Sequence, residues 1–112
     1  MSSTVNFRDL VLEAEKRESR KQVNSEPFVM ELEDGETVSI PYPDALTYMA
    51  YAKIPDGDII EQIRCLFGKN VVDFNRFIES LDGQPVSIIE VVVERIWKFW
   101  GLQDTNPKGF KN

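Results

Sequence analysis

The residues that most often carry out chemistry in proteins are scarce in this chain. It has no histidine and one cysteine, Cys65, so it lacks the commonest general base and cannot form an internal disulfide. The spacing of Asp56, Asp58 and Glu61 loosely suggests a cation site, but the glycine and the closing glutamate of a calcium-binding loop are missing. We interpret these residues as the capped start of a helix, where carboxylates accept hydrogen bonds from free amide groups.

Other signatures of catalysis are also absent from the sequence. It has no glycine-rich phosphate loop, no pair of spaced cysteines and no serine in a nucleophile elbow. Cys65 lies in the segment IRCLF with Arg64 as its only basic neighbour, so we expect a small buried side chain rather than a reactive thiol. The chain is therefore not expected to be an enzyme, and no catalytic, cofactor-binding or metal-binding residues are predicted. A small enzyme with an unrecognised site would need a deep polar pocket with converging carboxylates.

The charge of the chain is acidic and unevenly distributed. Its 13 basic and 19 acidic residues give a net charge of −6, which disfavours nucleic-acid binding because affinity for phosphate depends on clustered Lys and Arg. Residues 1–27 are neutral, whereas residues 28–101 contain six basic and thirteen acidic residues, a net charge of −7. No apolar run approaches the roughly 18 residues of a membrane span, and the start of the sequence lacks the apolar segment of a signal peptide. We expect a cytosolic protein with neither a membrane nor a nucleic-acid partner.

Residues 85–101 form the most apolar part of the chain. Pro85 suits the first turn of a helix, and Gly101 suits the left-handed residue that ends one, so the segment is predicted to be a single helix. The β-branched residues from Ile88 to Val93 would also suit a buried strand. A length of roughly 16 residues favours the helix, because strands are usually shorter.

Aromatic residues of this helix are candidates for a binding surface. Trp97, Phe99 and Trp100 point in different directions around a helix, and a domain of this size is not expected to bury all three. Together with Ile96 they are predicted to contact another chain, because aromatic side chains are common anchors of protein interfaces. The opposing interpretation is that all of them belong to the core.

Charged residues dominate the N-terminal segment, residues 1–27. Asn6 suits the cap of a helix with the sequence FRDLVLEAEKRESRK. One interpretation is a solvated helix; the other is that a short apolar stripe docks on the domain or on a partner while the charged half projects outward. Residues 22–27 are polar and end in a proline, so they are predicted to be a linker. The stripe consists of Phe7, Leu10, Val11 and Ala14.

The remaining sequence predicts a β-hairpin followed by helices. Apolar and polar residues alternate in FVMELEDGETVSI on both sides of Asp34-Gly35, a common hairpin turn. Asp44 and Asn70 suit helix caps, and Gly68 suits a helix end. The predicted fold class is α+β, mainly α, with one N-terminal hairpin packed on a small bundle of about four helices and preceded by a semi-detached charged helix. The predicted units are residues 1–27, the charged helix and linker; residues 28–101, the hairpin and helical domain; and residues 102–112, a flexible tail.

Three segments together resemble a known protein family. They are FRDLVLEAEKRESRK, PFVMELEDGETVSIPYPDAL and FNRFIESLDGQPVSIIEVVVERIWKFWGL, and they span Phe7 to Leu102. Their order is similar to that of the tail assembly chaperones of long-tailed (siphovirus-type) bacteriophages, particularly phages of actinobacteria. In that family a charged N-terminal segment precedes a short strand pair and a helical domain that ends in an aromatic residue followed by Gly-Leu. The Asp-Gly hairpin alone is common, whereas its combination with LDGQP and FWGL is more specific.

This resemblance implies a non-enzymatic assembly factor in the cytoplasm of the infected bacterial host. Such a factor binds and solubilises the tape-measure protein, helps to recruit the tail-tube protein, and is absent from the mature virion. The family provides no binding motif that transfers residue by residue, so the predicted protein-binding residues rest on their apolar character alone. They are Phe7, Leu10, Val11, Ile96, Trp97, Phe99 and Trp100.

The alternative interpretation is a structural virion protein of the phage tail or the head-tail junction. Such a component would also be small, acidic and without catalytic residues. Self-association is a further expectation, because an N-terminal helix that packs on a neighbouring copy would produce a homo-oligomer in the form of a ring or a filament.

Overall fold

A computed structural model describes residues 4–106 and shows helices and a single strand pair in the predicted order. The strands pair antiparallel and pack against the helices, which confirms the α+β, mainly α class. The elements are α1 (Phe7–Arg20), β1 (Phe28–Glu31), β2 (Thr37–Ile40), α2 (Ala45–Lys53), α3 (Ile59–Phe67), α4 (Val71–Ser80) and α5 (Ile88–Trp100).

Three helices begin at the capping residues that the sequence indicates. The side chains of Asn6, Asp44 and Asp58 accept hydrogen bonds from backbone N–H groups two or three residues later, at 2.8, 2.8 and 3.3 Å respectively. These bonds satisfy amide groups that have no partner within the first turn of a helix. The acidic pair at positions 56 and 58 thus marks a helix start, as predicted, with Asp58 as the cap.

The hairpin places alternate residues of β2 in the core. Phe28 pairs with Ile40 and Met30 with Val38, and both β2 residues are almost fully buried. The turn is stabilised by a hydrogen bond from the Gly35 N–H to the Leu32 carbonyl (3.0 Å), and Gly35 has a φ of +90°, which favours glycine. The connection therefore has the three-residue form that ends in a left-handed residue.

Two polar side chains of α4 cover the outer edge of β2. The Ser39 N–H donates to Asp73 Oδ2 (2.9 Å), and Asn70 Nδ2 donates to the Ser39 carbonyl (2.8 Å). Asn70 is the N-cap residue of α4, as predicted, but its side chain makes no capping hydrogen bond, and its Nδ2 binds the strand. The side chains of α4 therefore take the place that a third strand would occupy.

Helix α5 supplies much of the core, but it starts later than predicted. Its first helical residue is Ile88 rather than Pro85, because residues 85–87 form a turn closed by a hydrogen bond from the Ile88 N–H to the Pro85 carbonyl (3.0 Å). Trp97 and Trp100 are among the largest fully buried side chains of the described residues. They pack edge to face with ring centroids 5.7 Å apart.

The chain folds back after α5 instead of leaving the domain as a flexible tail. Gly101 has a φ of +75°, and the Leu102 N–H donates to the Trp97 carbonyl (2.9 Å), a common way to end a helix. Leu102 is buried, and the Tyr48 hydroxyl donates to the Thr105 carbonyl (3.3 Å). The predicted tail is therefore corrected for residues 102–106, and its remainder, residues 107–112, lies outside the described residues.

The predicted linker, residues 22–27, is also packed on the domain. The Asn24 N–H donates to the Trp100 carbonyl, and Trp100 Nε1 donates to the Glu26 carbonyl, both at 3.0 Å. Helix α1, which precedes it, buries none of its residues and packs on no other helix or strand of the described chain. The molecule measures 64 × 27 × 27 Å because α1 projects from the domain as an arm.

Candidate protein-binding surface

Most of the predicted binding residues of α5 belong to the core. Ile96 and Trp97 are 1% exposed and Trp100 is 0% exposed, so the prediction that these three contact a partner is corrected. The sequence does not show how much of α5 is covered by the hairpin and by the segment between α1 and β1. Phe99 is 39% exposed, and its ring packs edge to face against Phe28 with centroids 5.3 Å apart.

The predicted binding residues of α1 lie on the surface. Phe7 is 78% exposed, Leu10 is 49% exposed and Val11 is partly exposed. Helical spacing places these residues and Ala14 on one face, which we call the α1 stripe. No other helix or strand in residues 4–106 covers it. The contact of the α1 stripe with a partner stays a prediction.

A groove lies at the base of α1, on the side that the stripe faces. Glu18 is one turn beyond Ala14 on the same helical face and lines this groove. The start of α2 and Trp97 contribute to the same lining. The volume is about 170 Å³. We call this feature the α2 groove; besides Glu18 and Trp97 it is lined by Tyr42, Pro43, Asp44, Ala45, Tyr48, Leu102 and Thr105.

Contacts at the base of α1 hold the arm next to the groove. Lys21 Nζ donates to Thr105 Oγ1 (3.4 Å), and the Val23 N–H donates to the Glu18 carbonyl (3.2 Å). Burial raises the pKa of the Tyr42 hydroxyl, and the nearby Glu18 carboxylate raises it further. These contacts place the base of α1, and with it the end of the α1 stripe, beside the α2 groove.

Cys65 is half-buried in the fold rather than fully buried as the sequence predicts. Burial raises the pKa of the Cys65 thiol, Glu61 raises it further, and Arg64 opposes the rise, so the nucleophilic thiolate is disfavoured. Cys65 Sγ donates weakly to the Thr47 carbonyl (3.9 Å). Within residues 4–106, no three metal-ligating side chains cluster, and no helix combines the length and apolar character needed to cross a bilayer.

Two further apolar surfaces lie away from α1. One is a depression between the hairpin and the α4–α5 connection, about 140 Å³ in volume, with Leu32, Phe77 and Ile88 in its lining. The other is a broad, open surface formed by Phe28, Arg95, Lys98 and Phe99, which we call the aromatic patch. Of its residues, only Phe99 was predicted to bind a partner.

The α2 groove was not predicted from the sequence. Its lining comes from α1, the segment after β2, α2, α5 and the segment after α5, and no local pattern joins these pieces. The closest signal is the apolar composition of α2, ALTYMAYAK, which is typical of the edge of a core. Tyr51 is indeed buried, whereas Met49 is 60% exposed.

The fold and the surface define an α+β domain that carries a projecting amphipathic helix beside an apolar groove. No protein family model matches the chain, and no curated protein or solved structure matches it. A functional assignment therefore rests on the sequence resemblance and on the geometry of this surface.

Proposed function

We propose that this chain is a tail assembly chaperone of a long-tailed bacteriophage. It binds and solubilises the tape-measure protein in the cytoplasm of the infected host and helps to recruit tail-tube subunits. The resemblance of three segments between Phe7 and Leu102 to that family supports the proposal. The observation that carries it physically is the α1 stripe, an apolar helix face that the rest of the described chain leaves uncovered.

The α1 stripe is suited to bind another helix. An isolated helix of 14 residues is marginally stable in water, so contact with a partner helix stabilises α1 while it covers apolar residues of the partner. Fully burying one large apolar side chain contributes about 1.5–3 kcal/mol. A few such contacts for each copy give modest affinity, and many copies along a long partner cover it repeatedly.

The remaining surface keeps the complex in solution. The face of α1 opposite the stripe is mostly charged, and residues 28–101 have a net charge of −7 from six basic and thirteen acidic residues. Copies bound along the tape-measure protein would present this acidic surface outward. Like charges then oppose the association of one coated partner with another.

Co-expression with the tape-measure protein tests the proposal. Intact chain should raise the soluble yield of the tape-measure protein and co-purify with it. Leu10→Asp should lower the affinity roughly tenfold or more, because a charge replaces an apolar contact worth at least about 1.4 kcal/mol. Leu12→Asp is the matched control, since Leu12 is similarly exposed (45% against 49%) but lies on the opposite face of the same helix.

The result also separates the chaperone from its alternative. An unchanged yield of soluble tape-measure protein with the intact chain would overturn the proposal. Equal losses of affinity in Leu10→Asp and Leu12→Asp would exclude the α1 stripe as the binding surface. Mass spectrometry of purified particles should find no copy of this chain. A fixed number of copies in each particle would identify a structural virion protein instead.

A further inference from the structure

The aromatic patch combines exposed apolar area with two cationic side chains. Phe99 is 39% exposed, and Val91, two turns earlier on the same helix, is 49% exposed. Arg95 lies between Val91 and Phe99 on this face of the helix, and Lys98 lies beside them. Neither Arg95 nor Lys98 forms an ion pair with any residue in the described part of the chain. The patch therefore places two cationic side chains beside the exposed ring of Phe99.

Helix α1 has the complementary character in its first half. Residues 7–15 contain one basic residue, Arg8, and three acidic ones, a net charge of −2, whereas residues 16–21 contain four basic residues and one acidic residue, a net charge of +3. The apolar α1 stripe lies mainly in the acidic half. Glu15 borders the stripe and has no ion-pair partner within residues 4–106.

We propose that the first half of α1 from one copy of this chain docks on the aromatic patch of a second copy. Phe7 and Leu10 of the arm would cover Val91 and Phe99, while Glu15 would approach Arg95 and Lys98. Residues 7–15 of α1 and residues 91–99 of α5 are both helical and about two and a half turns long, so they match in size as well as in charge. The contact joins different surfaces of the two copies, so a pair of copies retains one free arm and one free patch.

This head-to-tail contact explains how the free protein covers its arm when no other partner is bound. The assembly grows as a chain of copies, or closes into a ring if the rotation between neighbours permits. The inference does not depend on the proposed function, because self-association is measured with this protein alone. A failed co-expression experiment would leave the head-to-tail contact unaffected. Absence of the head-to-tail contact would leave the α1 stripe available for the tape-measure protein.

Sedimentation velocity of the full chain over a wide concentration range tests the proposal with two variants. Leu10→Asp disables the arm, and Arg95→Glu with Lys98→Glu reverses the charge of the patch. Each variant alone should associate at least about tenfold more weakly than the intact chain. An equimolar mixture should form a one-to-one dimer that does not grow, because the intact arm of the patch variant binds the intact patch of the arm variant.

Matched controls distinguish this contact from general effects of charge. Lys53→Glu with Lys69→Glu reverses the charge of two exposed residues outside the patch, and Leu12→Asp changes the opposite face of α1, so both variants should associate like the intact chain. Circular dichroism should show native helix content in every variant. A self-associating patch variant would indicate contact between arms and overturn the proposal. So would a monomeric mixture of the two variants, or an intact chain that stays monomeric at every concentration.

Discussion

Trp100 connects the core of the domain with the segment that carries α1. Its ring packs edge to face against Tyr42 with centroids 5.7 Å apart, and its indole N–H donates to the Glu26 carbonyl. Its own carbonyl accepts from the Asn24 N–H. A residue expected to bind a partner therefore has a structural role: it fixes the chain just after α1 and so determines where the arm leaves the domain.

Gly101 completes this attachment, and its replacement should loosen it. A β-carbon at Gly101 would lie 3.4 Å from the Gln22 carbonyl oxygen, and the φ of +75° is unfavourable for other residues. Gly101→Ala should lower the free energy of unfolding by about 1–3 kcal/mol in urea denaturation. Gly83→Ala is the control, since Gly83 shares the positive φ (+79°) but its β-carbon would meet nothing within 4 Å. Equal stability of the two variants would show that the attachment does not constrain the fold.

The buried hydroxyl of Tyr51 should make the stability of the protein fall at high pH. Burial raises the pKa of Tyr51 from 10.0 to about 12, although its interaction with Trp97 opposes the rise. Neither the Tyr51 hydroxyl nor the Trp97 indole nitrogen has a full hydrogen bond within residues 4–106. The unfolded chain loses the Tyr51 proton near its ordinary pKa, whereas the folded chain retains it. Stability is therefore complete below pH 10.0 and should decrease by on the order of 2 kcal/mol as the pH approaches about 12.

Chemical denaturation at several alkaline pH values, compared with Tyr51→Phe, measures this effect. The variant lacks the titrating hydroxyl, so its stability should decline less steeply over the same range. At neutral pH it should be at least as stable as the intact chain, because it loses a buried hydroxyl without a full hydrogen bond. If the stability of the intact chain and that of Tyr51→Phe declined in parallel with pH, the loss of stability could not be assigned to the Tyr51 hydroxyl.

At the scale of elements, α4 stabilises the hairpin in a way that a two-stranded sheet requires. An isolated hairpin is marginally stable, and β2 has one edge paired with β1. Asn70 and Asp73 bind the backbone of Ser39 on the other edge, and the apolar side chains of β2 are buried. The hairpin therefore depends on α4 for both polar and apolar contacts.

Removal of the Asp73 carboxylate should destabilise the hairpin. Asp73→Ala leaves the Ser39 N–H without its acceptor and should cost about 1–3 kcal/mol in the free energy of unfolding. Arg76→Ala is the control, because it removes long ion pairs to Asp73 and to Glu36 (both 3.9 Å) but retains the bond to the strand. A loss no larger than that of the control would show that the edge contact is dispensable.

Local patterns predicted the elements well, but they did not predict contacts between distant segments. The caps at Asn6, Asp44 and Asp58 and the turn at Gly35 depend on a few adjacent residues, so their positions follow from the sequence. The burial of Trp97 and Trp100 and the packing of residues 22–27 and 102–106 depend on tertiary contacts. The α1 stripe was visible as a helical pattern, whereas the α2 groove was not, because it is assembled from separate segments.

At the scale of the whole molecule, a packed domain presents a helix that it does not itself cover. The domain fixes the base of α1 through Trp100, Gly101 and Lys21, while the stripe extends away from it. The base is therefore rigidly placed, and the projecting half depends on its own hydrogen bonds alone. Such a helix opens readily until a partner binds.

Hydrogen–deuterium exchange of the full chain, with and without the tape-measure protein, tests this account most directly. At a concentration where the free chain is monomeric, amides of residues 7–14 should exchange rapidly, and those in the core of α5 slowly. Bound tape-measure protein should slow exchange in residues 7–14 and around the α2 groove by about tenfold or more. A stable complex in which the exchange of α1 is unchanged would contradict the central claim that this helix is the binding surface.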